Sequence, residues 1–277
     1  MADCRDVKLI CMDMDGTLFG HWEVIPEVNI LALRECIDKG IKVALVSGRN
    51  YRFLMTKAAE ISDDVIIVSA NGARIDDKVN GKCIYEGTFD EEFARIVNRV
   101  MWDSETYYEI YTESINYAFS RAEVPEGHKR SLERYLQNRQ ILSAEQVTTI
   151  DSAPTKGIYK FVAFCDDLSK IGALRQECDK RGIVHSASGS TSVEVMAKDV
   201  DKGSAIRFLS SYYGIQTCDI MAFGDYTNDT SMLMACGHPI AMQNGVDEVK
   251  RIAEYVAPFN VLGGVGLAIN KLVLGKV

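Results

Sequence analysis

The chain has 277 residues, of which 47% are hydrophobic and 25% are charged, and its formal net charge is −8. This composition is ordinary for a globular protein with an apolar core, and the length suits one large or two medium domains. A negative net charge gives no sign of the positive surface that binds nucleic acid or an anionic membrane, so we expect neither as a partner. An anionic small molecule would need a local positive site, such as a metal ion or a suitably placed lysine.

The sequence shows no pattern typical of export or of membrane insertion. The segment MADCRDVKLICMDMDGT lacks a basic region followed by an apolar stretch, and no apolar run is long enough to cross a bilayer. The eight cysteines are scattered without a C-x-x-C pair, so we predict neither a disulfide framework nor a zinc site. We therefore expect a cytoplasmic protein in a reducing compartment.

Short apolar runs that are typical of buried parallel strands alternate with helical patterns. Four such strands are predicted, at Val7–Met12, Lys42–Val46, Val65–Val68 and Asp219–Phe223. The predicted helices Pro26–Lys39 and Lys202–Tyr213 each precede one of these strands, and Gly40 ends the first helix. This β-α-β order predicts an α/β fold with a Rossmann-like, doubly wound parallel sheet.

The middle of the chain has the alternation of half-buried strands instead. Its strands are predicted at Cys83–Tyr85, Thr106–Thr112, Ile115–Ser120, Tyr159–Cys165 and Val193–Met196, and its helices at Phe89–Trp102, Glu126–Asn138 and Leu168–Arg181. We interpret this region as an α+β cap, residues 82–188, inserted into a discontinuous core. The core would comprise residues 1–81 and 189–277.

The strongest chemical signal is the segment Asp13–Thr17 (DMDGT), directly after the first predicted strand. Ligands of open α/β sheets bind at the carboxyl ends of the strands, where this segment lies. Two carboxylates separated by one residue can take different roles: one attacks phosphorus, and the other protonates the leaving oxygen and later activates water. Gly16 permits a tight turn that exposes backbone N–H groups to an anion. An acidic β-turn has the same D-G chemistry and is the alternative interpretation.

Two further signals concern phosphate. The segment Ser47–Arg49 (SGR) follows the second strand, and its hydroxyl and the N–H groups of a following helix can hold a phosphate, although a simple helix N-cap explains it as well. Lys202 begins a helix and can neutralise both a phosphate and a carboxylate nucleophile. Lys198 is a rival for that role, and a solvated surface lysine is the alternative for either residue.

The segment Gly224–Asp229 (GDYTND) follows the fourth predicted strand. Oxygen-bearing side chains in one loop suit the coordination of a hard cation, and an Asx-rich turn is the alternative. All four segments lie at strand ends of one predicted sheet, and together they supply a nucleophile, an acid, a hydroxyl, a lysine and metal ligands.

These motifs resemble the haloacid dehalogenase (HAD) superfamily of phosphotransferases, and within it the Cof-type sugar-phosphatase branch. The resemblance runs in order through the whole chain, on DMDGT, SGR, SANGA at Ser69–Ala73, DKG at Asp201–Gly203, GDYTND, AMQNG at Ala241–Gly245 and NVLGGV at Asn260–Val265. Several positions depart from the usual pattern, among them Tyr226 and Thr227, which vary an already variable part of the GDYTND loop. Ser47 stands where many members have threonine and keeps the hydroxyl, and Gln243 replaces a common glycine.

The resemblance implies roles for individual residues. Asp13 would be the nucleophile that forms an aspartyl-phosphate, and Asp15 would be the general acid and base. The implied magnesium site comprises the Asp13 carboxylate, the backbone carbonyl of Asp15, and Asp225, with Asp229 beside it. The implied phosphate- and substrate-binding residues are Met14, Ser47, Gly48, Asn71, Lys202 and Asn228.

We therefore expect a Mg²⁺-dependent phosphatase whose substrate is a small phosphorylated metabolite, such as a sugar phosphate or a similar phosphomonoester. The cap is expected to exclude solvent and to determine substrate specificity. A sugar phosphomutase, which returns the phosphoryl group to the sugar, is a rival enzyme. A non-catalytic binding or regulatory protein on the same fold is the alternative of another class. No pattern in the sequence indicates an oligomeric state.

Overall fold

The computed structural model describes residues 6–113, 116–120, 124–126, 128–129, 133, 144–147 and 149–276. Its strands are β1 Leu9–Met12, β2 Lys42–Val46, β3 Ile66–Ser69, β4 Arg74–Asp76, β5 Cys83–Glu86, β6 Tyr107–Thr112, β7 Asn116–Ser120, β8 Ala144–Val147, β9 Ile158–Phe164, β10 Ser192–Met196, β11 Ile220–Gly224, β12 His238–Met242 and β13 Tyr255–Ala257. Its helices are α1 Glu27–Asp38, α2 Tyr51–Ala59, α3 Glu91–Asp103, α4 Leu168–Lys180, α5 Lys202–Tyr213, α6 Thr230–Met234, α7 Asp247–Ile252 and α8 Gly264–Leu272. Within the described ranges, no helix combines the length and the apolar character that a membrane span requires.

The chain divides into two compact units. Unit 1 contains Met1–Arg49, Leu54–Tyr85 and Asp201–Val277, and unit 2 contains Asn50–Phe53 and Glu86–Val200. This division differs from the predicted core of residues 1–81 and 189–277. The second boundary lies later because β10 pairs with β9 along its whole length and so belongs to unit 2. The first boundary also lies later, because β5 is an edge strand of the unit 1 sheet and not part of a cap.

Unit 1 is built on an eight-stranded sheet with the order β13-β12-β11-β1-β2-β3-β4-β5. From β13 to β3 each neighbouring pair is parallel, and β4 runs antiparallel to β3. In the central strand β1, Met12 is level with Leu45 of β2 and Phe223 of β11. The residues that follow these strands therefore lie at one edge of the sheet, which confirms the predicted Rossmann-like parallel sheet.

Both faces of this sheet are covered, which is why its strands β1, β3 and β11 are almost entirely apolar. Leu9 and Cys11 of β1 pack in a buried cluster with Ile206 and Leu209 of α5. Ile10, which alternates with them, is completely buried as well. On the described residues, α1 packs against α8, and α5 packs against α6. The predicted helix Lys202–Tyr213 matches α5 at both ends.

Unit 2 contains a five-stranded sheet with the order β10-β9-β6-β7-β8. Strand β9 is antiparallel to both β10 and β6, and α3 and α4 pack against β9 and β10 respectively. The buried residues Val97 and Met101 of α3, and Ile171 and Leu174 of α4, recur at helical spacing. This is the expected α+β arrangement. The predicted helix Glu126–Asn138 lies largely outside the described residues.

Candidate active site

The segment after β1 turns sharply, and this separates the surroundings of two aspartates. The backbone N–H of Asp13 donates to Phe223 O at 3.0 Å, and Asp13 O accepts from the N–H of Leu18 at 3.2 Å, which closes the turn. Gly16 has φ +82°, a value that side-chain-bearing residues avoid. Asp13 is 6% exposed, whereas the side chain of Asp15 is 49% exposed. The two carboxylates of DMDGT therefore occupy different environments.

Lys202 joins two buried carboxylates. Its Nζ donates to Oδ1 of Asp13 and to Oδ1 of Asp229, each at 2.6 Å. Lys202 is 1% exposed, because it is the first residue of α5 and the helix start is buried. Asp201 caps this helix by accepting from the N–H of Ser204 at 2.6 Å. The rival lysine, Lys198, is exposed.

The loop after β11 is organised by Asp229. The Oδ2 atom of this fully buried aspartate accepts from the N–H groups of Asp225 at 2.9 Å and Tyr226 at 3.1 Å. The same carboxylate accepts from Lys202 through its other oxygen. Asp225 accepts a hydrogen bond on Oδ1 from the hydroxyl of Thr17, at 2.6 Å. Thr17 is thus a site residue that sequence reasoning missed, although it is the last residue of the DMDGT motif.

Asp13, Asp225 and Asp229 offer carboxylate oxygens that all lie within 4.8 Å of one another. Burial raises the pKa of Asp13 well above its ordinary value; Lys202 opposes this shift, and the carboxylates of Asp229 and Asp225 add to it. Burial also raises the pKa of Asp225, to about 7. Burial lowers the pKa of Lys202, but Asp13 and Asp229 outweigh it, so the pKa is raised and the ammonium stays charged. One lysine therefore faces three carboxyl groups.

This donor set fits a hard divalent cation such as Mg²⁺, which binds carboxylate oxygens and would balance the excess negative charge. Both oxygens of Asp229 already accept hydrogen bonds. Within the described residues, Oδ2 of Asp13 and Oδ2 of Asp225 carry no hydrogen bond, because Lys202 and Thr17 both donate to the Oδ1 atoms. Asp13 and Asp225 would accordingly be the better ligands, and Asp229 holds the loop beside them through its hydrogen bonds.

Asp15 makes a two-point contact with Arg49. The Nε and Nη2 atoms of Arg49 lie 2.8 and 2.6 Å from the two carboxylate oxygens of Asp15. Nη2 also lies 3.2 Å from Oε1 of Glu23, in a loop where Trp22 and Glu23 both have positive φ. The sequence alone predicted no role for Arg49 or Glu23, although Arg49 is the last residue of the SGR motif.

The ends of β2 and β3 are connected through their backbones. The N–H of Ser47 donates to Val68 O, and Ser47 O accepts from the N–H of Asn71, both at 2.9 Å. Ser47 and Asn71 are each 2% exposed. Gly72 fits closely against the residue before Lys202, since a Cβ atom there would lie 2.4 Å from Asp201 O. The turn of the SANGA motif therefore packs against the start of α5.

Asn228 and Gly48 complete the set of predicted phosphate-binding residues. Asn228 is half-buried in the loop after β11, and its Oδ1 atom is buried with no hydrogen-bond partner among the described residues. A buried polar atom of this kind is usually satisfied by a ligand or water. Gly48 lies between Ser47 and Arg49 at the end of β2, and Met14 begins the turn after Asp13.

Fold and site together define an α/β enzyme with a buried lysine and an acidic centre at the carboxyl edge of a parallel sheet. The family model of haloacid dehalogenase-like hydrolases matches residues 10–269, and the chain belongs to this family.

Named relatives agree with that assignment. The chain is 28% identical to the 5-amino-6-(5-phospho-D-ribitylamino)uracil phosphatase YwtE of Bacillus subtilis, over 98% of this chain and 99% of the relative. A haloacid dehalogenase-like hydrolase from B. subtilis superposes with a TM-score of 0.85 at 25% identity, over 96% of this chain and 100% of the other. The HAD subclass IIB sugar phosphatase BT4131 has the same fold, with a TM-score of 0.81 at 21% identity over 98% of this chain and 100% of that one.

Proposed function

We propose that this protein is a Mg²⁺-dependent phosphatase that transfers the phosphoryl group of a small phosphorylated metabolite first to Asp13 and then to water. The observation that carries the proposal is the contact of Lys202 with Asp13 inside the three-carboxylate cluster. A buried lysine bound to a buried aspartate holds that carboxylate in one orientation and keeps positive charge where a dianionic phosphate would approach. The family assignment and the phosphatases among its relatives support the same reaction.

In the first step, an oxygen of Asp13 attacks phosphorus, the bond from phosphorus to the leaving oxygen breaks, and Asp15 supplies a proton to that oxygen. In the second step, Asp15 takes a proton from water, whose oxygen attacks phosphorus and releases inorganic phosphate from Asp13. Asp13 and Asp225 would hold Mg²⁺, together with the backbone carbonyl of Asp15. The bound cation would offset negative charge on the phosphoryl oxygens and on the nucleophile.

The remaining predicted residues are proposed to hold the phosphate. Ser47 offers a hydroxyl at the end of β2, and Lys202 offers its ammonium group. Asn228 would offer the NH₂ group of its side-chain amide as a donor. Met14, Gly48 and Asn71 are proposed to contribute through the backbone or at the entrance. Hydroxyl, ammonium and N–H donors of this kind match the acceptor oxygens of a phosphate.

Unit 2 is proposed to be the inserted cap that selects the substrate. The residues assigned above bind only phosphate and metal, which every phosphomonoester shares, so they cannot distinguish leaving groups. The relatives narrow the choice of substrates to test, since one is named for a phosphorylated ribitylaminouracil and another for sugar phosphates. We therefore propose a phosphorylated sugar, or a phosphorylated sugar-alcohol derivative, as the substrate class.

The test is a screen of phosphorylated metabolites that measures released phosphate with Mg²⁺ present, on the wild-type protein and on Asp13→Asn. Phosphate release by the wild type, reduced by several orders of magnitude in Asp13→Asn, is expected. Beryllofluoride, which mimics a phosphoryl group on aspartate, should stabilise the wild type with Mg²⁺ and fail to stabilise the variant. Isomerised sugar phosphate without net phosphate release would favour the mutase. Binding without turnover of any compound would favour a non-catalytic protein.

A further inference from the structure

Asn244 lies in the turn after β12 and binds two other segments at once. Its Nδ2 donates to the carbonyl of Gly16 at 2.7 Å, and its Oδ1 accepts from the backbone N–H of Asn260 at 3.1 Å. Asn244 is exposed, so burial of its side chain does not explain the contact. The first of these bonds reaches the turn that carries Asp13 and Asp15.

The same turn also binds the backbone of Asp225. The N–H of Val246 donates to Asp225 O at 2.9 Å. Gly245 packs so closely that a Cβ atom there would lie 3.0 Å from Asp225 O and 3.1 Å from Asp225 Cα. Residues 244–246 therefore contact both the turn after β1 and the loop after β11.

A hydrogen bond joins these two segments. The carbonyl that Asn244 binds belongs to the peptide between Gly16 and Thr17, and the Thr17 hydroxyl donates to Oδ1 of Asp225 at 2.6 Å. Thr17 is completely buried. When the peptide before Thr17 is held in place, the Cα atom that carries the Thr17 side chain is held as well. The Thr17 hydroxyl in turn holds the Asp225 carboxylate. This leaves Oδ2 of Asp225 with a defined direction.

We propose that Asn244 is a positioning residue that sets the affinity of the site for a divalent cation, by way of the Gly16–Thr17 peptide and Asp225. The inference rests on the proposed function, because it takes Asp225 as a cation ligand. Asn244 itself binds no metal in this scheme. Without it the peptide can rotate, and Asp225 must then be ordered when the cation binds, which lowers the affinity.

The test is direct binding of Mg²⁺ and of Mn²⁺ to the full chain, measured by titration calorimetry and, for Mn²⁺, by electron paramagnetic resonance. Asn244→Ala should raise the dissociation constant about tenfold, the lower end of the range for residues that orient metal ligands. The matched control is Asn260→Ala. It removes the 2.7 Å hydrogen bond that Asn260 Nδ2 donates to Phe19 O, which follows the turn after β1. It keeps the backbone N–H of Asn260, which donates to Asn244 Oδ1. Its dissociation constants should stay within about twofold of the wild type.

Thr17→Val removes the hydroxyl and keeps the shape, and it should weaken cation binding as Asn244→Ala does. Since the two residues act through one path, the double variant should lose less affinity than the sum of the single losses. At saturating Mg²⁺ the kcat of Asn244→Ala should return to near the wild-type value. Circular dichroism and thermal unfolding check that each variant is folded, and Asn244→Ser replaces Asn244→Ala if the latter unfolds.

Unchanged cation affinity in a folded Asn244 variant, with binding by the wild type intact, overturns this inference and leaves the proposed function standing. Additive losses in the double variant also overturn it, because they exclude a shared path. A wild-type protein that binds neither cation contradicts the magnesium part of the proposed function, and this inference with it.

Discussion

Arg49 binds both carboxylate oxygens of Asp15, through Nε at 2.8 Å and Nη2 at 2.6 Å. A guanidinium that binds a carboxylate at two points fixes its orientation as well as its position. Because Glu23 binds the same guanidinium at 3.2 Å, the three side chains form a chain of contacts that ends at the residue proposed to be the acid and base. The position of Asp15 therefore depends on two residues that do not belong to the DMDGT motif.

The first prediction concerns this contact. Arg49→Lys keeps the positive charge but cannot make the two-point contact, so Asp15 should lose its fixed orientation. We expect kcat for a sugar phosphate to fall between about tenfold and about a hundredfold, the cost of a small misplacement of a reacting group. Glu23→Gln is the matched control, because it leaves the two-point contact between Arg49 and Asp15 in place and removes the charge of the outer carboxylate, so it should have a smaller effect. A rise in turnover in Arg49→Lys would instead mean that Arg49 restrains Asp15 in an unproductive orientation.

Much of unit 1 could be predicted because its central strands are largely apolar and its motifs are local. The predicted strand Lys42–Val46 is β2, and the predicted helix Lys202–Tyr213 is α5. Strands β4 and β13 were not predicted. Each has three residues, too few for a periodic pattern to be read, and tertiary pairing fixes them. Strand β12, His238–Met242, was not predicted either. It includes a proline, and a proline argues against a strand when only the sequence is considered.

The sequence predicted which residues belong to the site better than it predicted which of these residues contact one another. Residue types and spacing indicated Asp13, Lys202 and Asp229, but not that Lys202 binds both aspartates, because that contact joins segments distant in the chain. Asn244 shows the same difficulty: its partner Gly16 lies 228 residues earlier. One sequence without its fold carries no signal for such a pair.

The second prediction is that Lys202→Met destabilises the metal-free protein. The substitution leaves Asp13 and Asp229 buried without their cation, and breaking a buried ion pair costs about 3–5 kcal/mol. The free energy of unfolding, measured by urea titration in the presence of a chelator, should fall by about that amount. Lys198→Met is the matched control, because Lys198 is exposed, and should change stability by less than about 0.5 kcal/mol. Equal stability of the two variants would contradict the contacts described for Lys202.

The third prediction concerns pH. The pKa of Asp225 is raised from 3.8 to about 7, first of all by burial. Between these values the folded protein holds a proton that the unfolded chain has released, so the stabilising contribution of this carboxyl is fully present below pH 3.8 and is lost as the pH rises toward 7. Urea unfolding in chelator should therefore show lower stability at pH 7 than at pH 5. Asp225→Asn should reduce this slope, and Mg²⁺ should oppose it in the wild type, because the proposed cation would bind the ionised carboxylate. If the free energy of unfolding changed with pH in Asp225→Asn as it does in the wild type, other groups, such as Asp13, would cause the pH dependence.

The last prediction compares two glycines that have the same backbone angle. Gly16 and Gly40 both have φ +82°, but a Cβ atom at Gly16 would lie 2.2 Å from Oδ2 of Asp225, whereas a Cβ atom at Gly40 would meet nothing within 4 Å. Alanine at either position should cost about 1 kcal/mol through left-handed backbone strain. Only Gly16→Ala should also displace the Asp225 carboxylate, so phosphatase activity should fall by about a hundredfold or more in that variant. Gly40→Ala should keep its activity and its affinity for Mg²⁺. Similar losses of activity in both variants would show that backbone strain, and not the position of Asp225, limits the reaction.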